Sequence, residues 1–216
     1  MSLRSNLLPA NRREWLRGAL GALLGIGLTA ALCRWLLGAD PAAVWLIAPM
    51  GATTVLLFAV PASPFAQPWP VLGGHLVAGS IGLALARFSL DPVLGAALTV
   101  GLAVLCMGLL RCLHPPAGGT AVVMAMGSPA ITAAGWSFLS TPIALNVASL
   151  LVVALAYHRA TGHSYPHHAP PPRPALRTGY DPAALDAVLE EWDEVLDIAR
   201  EDLDALIREV LRRSRG

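Results

Sequence analysis

Charge is scarce through most of this 216-residue chain. Charged residues make up 13% of the sequence and hydrophobic residues 55%. Uncharged apolar segments long enough to cross a lipid bilayer follow one another, which excludes an ordinary soluble domain and predicts an integral membrane protein. Between positions 18 and 160 the charged residues are Arg34, Asp40, Arg87, Asp91, Arg111 and Arg159.

The chain also lacks the motifs of most catalytic and metal sites. The three cysteines, Cys33, Cys106 and Cys112, have neither disulfide-framework nor zinc-ligand spacing, so we interpret them as packing residues. No phosphate-binding loop, serine nucleophile elbow or pair of intramembrane carboxylates is present. We therefore expect no enzyme activity, no cofactor and no metal site, and neither end of the chain resembles a nucleic-acid-binding surface.

The membrane part divides at charges and turn residues into six apolar segments. A crossing helix needs about 20 residues, whereas segment 116–126 would be only about 16 Å long as a helix. Pro49 divides the second segment and leaves another short helix behind it. The sequence thus predicts an all-α polytopic membrane domain over residues 15–160 with two short, broken helices. The six segments are 15–37, 42–60, 71–88, 93–113, 116–126 and 138–157.

The two short helices resemble each other in sequence. Pro49-Met-Gly51-Ala-Thr53-Thr-Val55 matches Pro116-Ala-Gly118-Gly-Thr120-Ala-Val122, which predicts two three-segment repeats over about 15–88 and 91–158. If every segment crosses, the second repeat is inverted relative to the first, as in transporters with broken helices at the substrate site. If the short pieces are re-entrant, the repeats are parallel, so four and six crossings both remain open.

The breaks themselves predict a binding site. Pro115 and Pro116 end the preceding helix near His114, and the next helix starts with backbone N–H groups that lack intrahelical partners. Such groups at the positive end of a helix dipole attract anions, and glycine lets a ligand approach the backbone. The predicted substrate-binding residues are Gly51, Thr53, Thr54, His75, His114, Gly118, Gly119, Thr120 and Asn146, with Pro49, Pro115 and Pro116 as helix breakers.

Each feature has a simpler interpretation. Small residues also pack helices closely, and prolines also kink crossing helices. His75 lies inside an apolar segment, where an ionisable group is a functional candidate, but a neutral imidazole bonded across helices is the alternative. His114 could equally be an interfacial helix-terminal residue. Asn146 is a possible polar partner of the site, and Arg111 either attracts an anion or extends to the interface.

The two ends of the chain differ from the membrane part. The basic arm 1–14 favours a cytoplasmic N-terminus, and an even number of crossings then makes the C-terminus cytoplasmic; we expect a bacterial inner membrane. Residues 161–180 form a Pro- and His-rich linker. Its histidines, and His158 before it, lack acidic or cysteine partners at fixed spacing, so no metal site is expected. The histidines of this tract are His158, His163, His167 and His168.

A C-terminal amphipathic helix is predicted over residues 181–213. Its apolar residues recur at alternating spacings of four and three, which is typical of a coiled coil. Fewer than four heptads make a marginal helix when alone, so we expect a homodimer or other homo-oligomer through this segment. The alternative is a helix that packs on its own membrane domain or lies on the bilayer.

The string His114-Pro-Pro-Ala-Gly118-Gly-Thr120-Ala resembles the signature of the HPP family of integral membrane proteins, which is named for that tripeptide. Pro49-Met-Gly-Ala-Thr53, Ser63-Pro64 and the string QPWPVLGGHLVA from Gln67 add to the resemblance. It implies a compact helical membrane domain and, from members in photosynthetic cells, nitrite transport. Gly119 stands where alanine is common in the family, and the C-terminal helix lies outside the resemblance.

Residue chemistry and the resemblance lead to one main hypothesis. The protein is expected to be a transporter or channel for a small monovalent anion, with nitrite as the leading candidate, bound between the opening turns at 49–54 and 116–120. His75 and His114 would tune polarity or protonation. The alternative is a membrane scaffold or sensor that does not transport and acts through its C-terminal helix.

Overall fold

The structure, a computed structural model, describes residues 12–38, 44–88, 91–169, 180–192 and 196–214. Regular structure in these ranges is entirely helical. Short 3₁₀ turns flank the third helix at Pro64–Ala66 and Ala86–Phe88, and a π-helical turn, Leu139–Ala144, leads into the seventh. The helices are α1 (Arg12–Leu37), α2 (Met50–Ala59), α3 (Pro68–Leu85), α4 (Pro92–Leu109), α5 (Pro115–Met126), α6 (Pro129–Ala134), α7 (Leu145–Ala160), α8 (Pro182–Trp192) and α9 (Arg200–Ser214).

Local sequence explains where several helices begin and end. The Asp91 carboxylate accepts hydrogen bonds from the amides of Val93 and Leu94, and Pro92 is the first helical residue of α4. Ser128 caps α6 in the same way, with Pro129 next to it. Gly38 follows α1 with φ 81°, the left-handed conformation that glycine adopts most easily. Prolines at helix starts thus set much of the domain's segmentation.

Four helical stretches are long and apolar enough to cross a membrane: Arg12–Leu37, Pro68–Phe88, Pro92–Leu109 and Leu139–Ala160. α1 and α4 bury little of their surface within the protein and present many leucine and valine side chains outward, as expected for contact with lipid. α2 and α5 have 10 and 12 residues. The predicted all-α polytopic membrane domain with two short helices is therefore confirmed.

The long helices pack against the short ones. α1 packs against α2 and α7, while α4 packs against α3 and α5. Small residues allow these contacts, since Gly21 and Gly25 of α1 lie directly against the Phe58 ring of α2. α3 and α5 make the most extensive contact of all. The core therefore lies where α2, α3, α5 and α7 meet.

Two breaks occur at prolines, of which the sequence predicts the one at Pro49 and not the one at Pro142. Residues 44–49 are not helical, and α2 begins directly after Pro49. Thr141 has extended angles, φ −144° and ψ 107°, because the residue before a proline is pushed away from helical geometry. The helical path of the last crossing is therefore interrupted near its first turn.

The prediction of one continuous coiled-coil helix over 181–213 is wrong. The chain forms two helices, α8 and α9, and the described residues 196–199 between them are not helical. Arg200 pairs with Asp186 at 2.7 Å and also donates to the Pro182 carbonyl. The apolar residues of both helices face one cavity of about 360 Å³. The apolar residues at coiled-coil spacing thus pack against a second helix of the same chain.

Candidate functional site

Four buried polar side chains meet where the short helices pass each other. Thr53 belongs to α2, His75 to α3 and Thr120 to α5, while His114 immediately precedes α5. Each is at most 1% exposed, so each has exchanged water for protein partners. We call these four residues the His/Thr cluster. The two imidazole rings are 5.0 Å apart, centroid to centroid, and perpendicular enough to meet edge to face.

One histidine joins the two short helices. His75 Nε2 lies 2.8 Å from Thr53 Oγ1, and His75 Nδ1 lies 2.7 Å from Thr120 Oγ1. Thr53 and Thr120 occupy the same place in the two matching sequence motifs, four residues after a proline. The ring therefore bridges two threonines that the sequence comparison treats as equivalent.

The backbone fixes the direction of the hydrogen bonds. The Phe65 carbonyl can only accept, so His114 Nδ1, at 2.8 Å, carries a hydrogen. In a neutral ring His114 Nε2 is then an acceptor, and the Thr53 hydroxyl donates to it at 3.1 Å. Thr53 Oγ1 in turn accepts from His75 Nε2, which leaves His75 Nδ1 to accept from Thr120. The neutral cluster thus points in one direction, from Thr120 to the Phe65 oxygen.

Thr53 has one competing acceptor. Its hydroxyl is also 3.2 Å from the Pro49 carbonyl, four residues earlier in the chain. If the hydrogen turned to Pro49, the buried His114 Nε2 would lose its donor, at a cost of about 1–3 kcal/mol for an unsatisfied buried group. The bond to His114 is therefore the favoured arrangement.

This arrangement links protonation to the whole cluster. A protonated imidazole donates from both nitrogens, so a proton on His75 would force Thr120 to turn its hydrogen elsewhere. Two protonated rings at this separation would repel each other, so the pair holds at most one added proton. A small anion beside the cluster would favour the protonated state. The anion accepts hydrogen bonds, and the neutral cluster uses its donors internally, whereas the protonated ring has one more N–H to donate.

Glycines of α3 let the cluster form. A Cβ atom on Gly74 would lie 2.7 Å from His114 Cβ and 3.1 Å from the Cys112 carbonyl oxygen. A Cβ on Gly82 would collide with Met124 Cβ. These contacts bring α3 and α5 close enough for His75 to reach Thr120. The packing interpretation of the small residues therefore holds along this contact.

The opening turns of α2 and α5 lie side by side. Pro49 lies against Gly119, at 3.4 Å from the position of a Cβ there, while Thr53 faces His114. The two first turns therefore run antiparallel past each other. Gly51 and Gly119 are exposed and Gly118 is partly so, and Gly51 and Gly118 have open space where a Cβ would be.

The backbone amides of these turns are mostly occupied. Met50 and Gly51 donate to the carbonyls of residues 47 and 48, and Ala117 donates to His114. Pro115 and Pro116 have no N–H to offer. The donors that face one another in this closed arrangement are therefore hydroxyls and imidazoles, rather than the free amides that the sequence suggested.

Two predicted site residues have other partners. Thr54 donates to the Met50 carbonyl at 2.7 Å. Asn146 accepts from the Ile47 amide at 2.9 Å and donates to the Trp45 carbonyl at 3.1 Å and to Cys33 Sγ at 3.2 Å. It holds the non-helical approach to α2. A polar residue in an apolar membrane segment predicted that Asn146 contacts the site, but not that it binds the chain before α2.

The histidines at the end of the last crossing and beyond it have other partners. His158 is buried, with Nε2 2.8 Å from the Leu57 carbonyl, and His167 pairs with Asp202 at 2.9 Å. His163 lies 3.5 Å from Glu14. Across the described ranges, no group of three or more histidine, cysteine or acidic residues is arranged to hold a metal ion.

Comparison with known proteins places this geometry in a family. The family described as "HPP, transmembrane region" matches residues 8–166, a stretch that contains all of the His/Thr cluster. The chain belongs to the HPP transmembrane family. His114, Pro115 and Pro116 supply the HPP tripeptide, and its histidine is the one oriented by Phe65.

Two curated relatives come from Dictyostelium discoideum, and both are named only as transmembrane proteins. One is 30% identical over 152 residues, which cover 68% of this chain and 48% of the relative. The other is 32% identical over 152 residues, covering 68% of this chain and 53% of the relative. The chain therefore spans about half the length of the curated relatives it matches. No solved structure matches it.

Proposed function

We propose that this HPP-family protein transports a small monovalent anion across the membrane, with the His/Thr cluster as its binding site. The observation that carries the proposal is the buried hydrogen-bond chain through Thr53, His75, His114 and Thr120. A membrane protein seldom buries two ionisable groups together without a functional use. The four side chains supply donors to an acceptor ligand once their internal bonds open.

A proton would accompany the anion in this scheme. The cluster accepts at most one proton, and an anion beside it stabilises the charged imidazole. Broken helices around a polar site are the usual architecture of secondary transporters. The paired packing of α1 with α7 and of α4 with α3 is what a duplicated unit would give, whether parallel or inverted.

Nitrite is the first substrate to test, because of the resemblance to members in photosynthetic cells. The experiment measures pH-dependent uptake of nitrite, nitrate, formate and chloride into liposomes that contain the purified protein. Thr53→Val removes a hydroxyl and keeps the side-chain shape. Thr99→Val is the matched control, since Thr99 is also buried but donates only within α4, to the Gly95 carbonyl.

We expect selective uptake that falls at least tenfold in Thr53→Val and stays near wild type in Thr99→Val. Equal uptake in both variants would remove the cluster from the transport path. No uptake of any of these ions by folded, reconstituted protein would favour the non-transporting scaffold. The basic arm, residues 1–14, supports a cytoplasmic N-terminus in this scheme.

Helices α8 and α9 form what we call the C-terminal hairpin. We propose that its partner is a second copy of the chain. Trp192 and Leu206 remain 60% and 56% exposed after α8 and α9 fold together. Two such hairpins can bury these side chains as a four-helix bundle. Light scattering of the detergent-solubilised chain should give a dimer, and Trp192→Ser with Leu206→Ser a monomer. A monomeric wild-type chain would contradict this assembly.

A further inference from the structure

The loop between α2 and α3, residues 60–67, sets the state of a buried histidine. Its Phe65 carbonyl lies 2.8 Å from His114 Nδ1 and requires a hydrogen on that nitrogen. If the carbonyl moved away, either nitrogen could carry the hydrogen, and the direction of the His/Thr cluster would no longer be fixed. Whatever holds this loop therefore controls the cluster.

Gln67 ties the loop to itself and to a distant part of the chain. Its Nε2 donates to the Pro61 carbonyl at 3.0 Å and to the Ser63 carbonyl at 2.9 Å. Its Oε1 accepts from the His167 amide at 2.9 Å. One side chain thus closes the loop that carries Phe65 and attaches it to the segment that follows α7.

That segment, residues 161–169, lies along the loop, and we call it the strap. The Tyr165 hydroxyl donates to the Ala66 carbonyl at 2.7 Å, next to Phe65 in the chain. Burial raises the pKa of Tyr165, which keeps this donor protonated. The Tyr165 ring also lies 5.1 Å from the ring of His158, at the end of α7. The strap is therefore fastened to both α7 and the loop.

The C-terminal hairpin fastens the strap from the other side. His167 Nε2 lies 2.9 Å from an Asp202 carboxylate oxygen of α9. The Ser63 hydroxyl of the loop donates to Asp197, just before α9. The hairpin thus contacts the strap and the loop at once, so the contacts form one path from α9 to Phe65.

We propose that Gln67 and Tyr165 are positioning residues for His114, and that through them the strap and hairpin determine the direction of the buried hydrogen-bond chain. Most of the hydrogen bonds along this path end on a backbone carbonyl or amide. They therefore act by fixing the position of the loop. The role in transport rests on the proposed function. The effect on His114 does not, because the tautomer is a property of the protein at rest.

The test is ¹⁵N magnetic resonance of the histidine rings in the full chain, in lipid bilayers. The wild type should show His114 as a single tautomer with the hydrogen on Nδ1. Gln67→Leu combined with Tyr165→Phe should give a mixture of the two tautomers. Tyr157→Phe is the matched control, since the Tyr157 hydroxyl also donates to a backbone carbonyl, at 2.7 Å, but to Arg17 of α1.

A single Nδ1–H tautomer in the double variant would overturn the inference, as would equal mixing in the Tyr157→Phe control. If the double variant does not fold, Asp202→Ala takes its place, because it releases His167 at the surface; an unchanged His114 signal there counts against the hairpin's part. Uptake measured on the same samples separates the two proposals. Tautomer mixing without any wild-type uptake would leave the positioning intact and reject transport.

Discussion

Helices α2 and α5 begin with matching sequences but are held in opposite ways. At α2, the Asn146 side chain from α7 binds the backbone of the approaching chain, at Trp45 and Ile47. At α5, the backbone of Phe65 binds the side chain of His114. The segment before α2 is thus fixed by the Asn146 amide, which does not titrate. The segment before α5 is fixed through the His114 imidazole, which is a titratable group. The difference places one of the two histidines of the cluster, His114, at the start of α5.

The two turns also differ in how tightly they are packed. Gly74 of α3 touches the approach to α5, whereas Gly51 in the first turn of α2 faces open space. We predict that Gly74→Val lowers the free energy of unfolding by about 3 kcal/mol, because the new side chain meets His114 and a backbone carbonyl. Thermal denaturation of the detergent-solubilised protein measures this change.

Gly51→Ala is the control for that substitution. It should change the free energy of unfolding by less than about 1 kcal/mol, since nothing lies near its Cβ and alanine favours helix. A Gly74→Val protein as stable as Gly51→Ala would show that α3 and α5 have room to separate, and would remove the packing difference between the two turns.

The two matching threonines should also differ in effect. Thr53 forms hydrogen bonds with both histidines, whereas within the cluster Thr120 forms one with His75 alone. We predict that Thr53→Val costs about 2 kcal/mol and Thr120→Val about 1 kcal/mol, because two ring nitrogens lose a partner in the first case and one in the second. Denaturation of the two variants side by side tests the order, and a larger loss for Thr120→Val would contradict the assigned hydrogen-bond partners.

Asn146→Leu should change the stability of the protein without changing the His/Thr cluster. The Ile47 amide loses its acceptor, which should cost about 1–3 kcal/mol in stability. His114 is held from the other side of the domain, so its tautomer should stay unchanged. Denaturation and ¹⁵N spectra of the same sample separate these effects. A mixed His114 tautomer in this variant would mean that the two approaches are coupled rather than independent.

Much of the membrane fold was predictable from proline and charge. The starts of α4 and α5 follow from Asp91-Pro92 and from Pro115-Pro116, since proline fixes the backbone and removes an amide. The short length of α2 follows from Pro49 and Pro61, which stand on either side of it. Thr53, Thr120 and the two histidines stood in a predicted set of nine residues, but the sequence neither singled out these four nor predicted their hydrogen bonds.

The features that sequence could not give depend on backbone atoms and on tertiary contacts. Phe65 acts through its carbonyl, which any residue would supply, so no side-chain pattern marks it. Asn146 acts on a loop far away in the chain. The seam in 181–213 repeats identically whether its partner is another chain or the other half of the same segment, so periodicity alone did not reveal the hairpin.

The proline at the start of α2 has a mechanical consequence. α3 and α5 interlock through glycines without space for a single added carbon at Gly74 or Gly82, so that pair moves as one body. Between α2 and α5, by contrast, the flat ring of Pro49 lies against Gly119, which has no side chain to interlock with it. A contact of this kind offers little resistance when α2 slides along α5. Any rearrangement that exposes the buried imidazoles should therefore shear along the Pro49–Gly119 contact and leave α3 and α5 together.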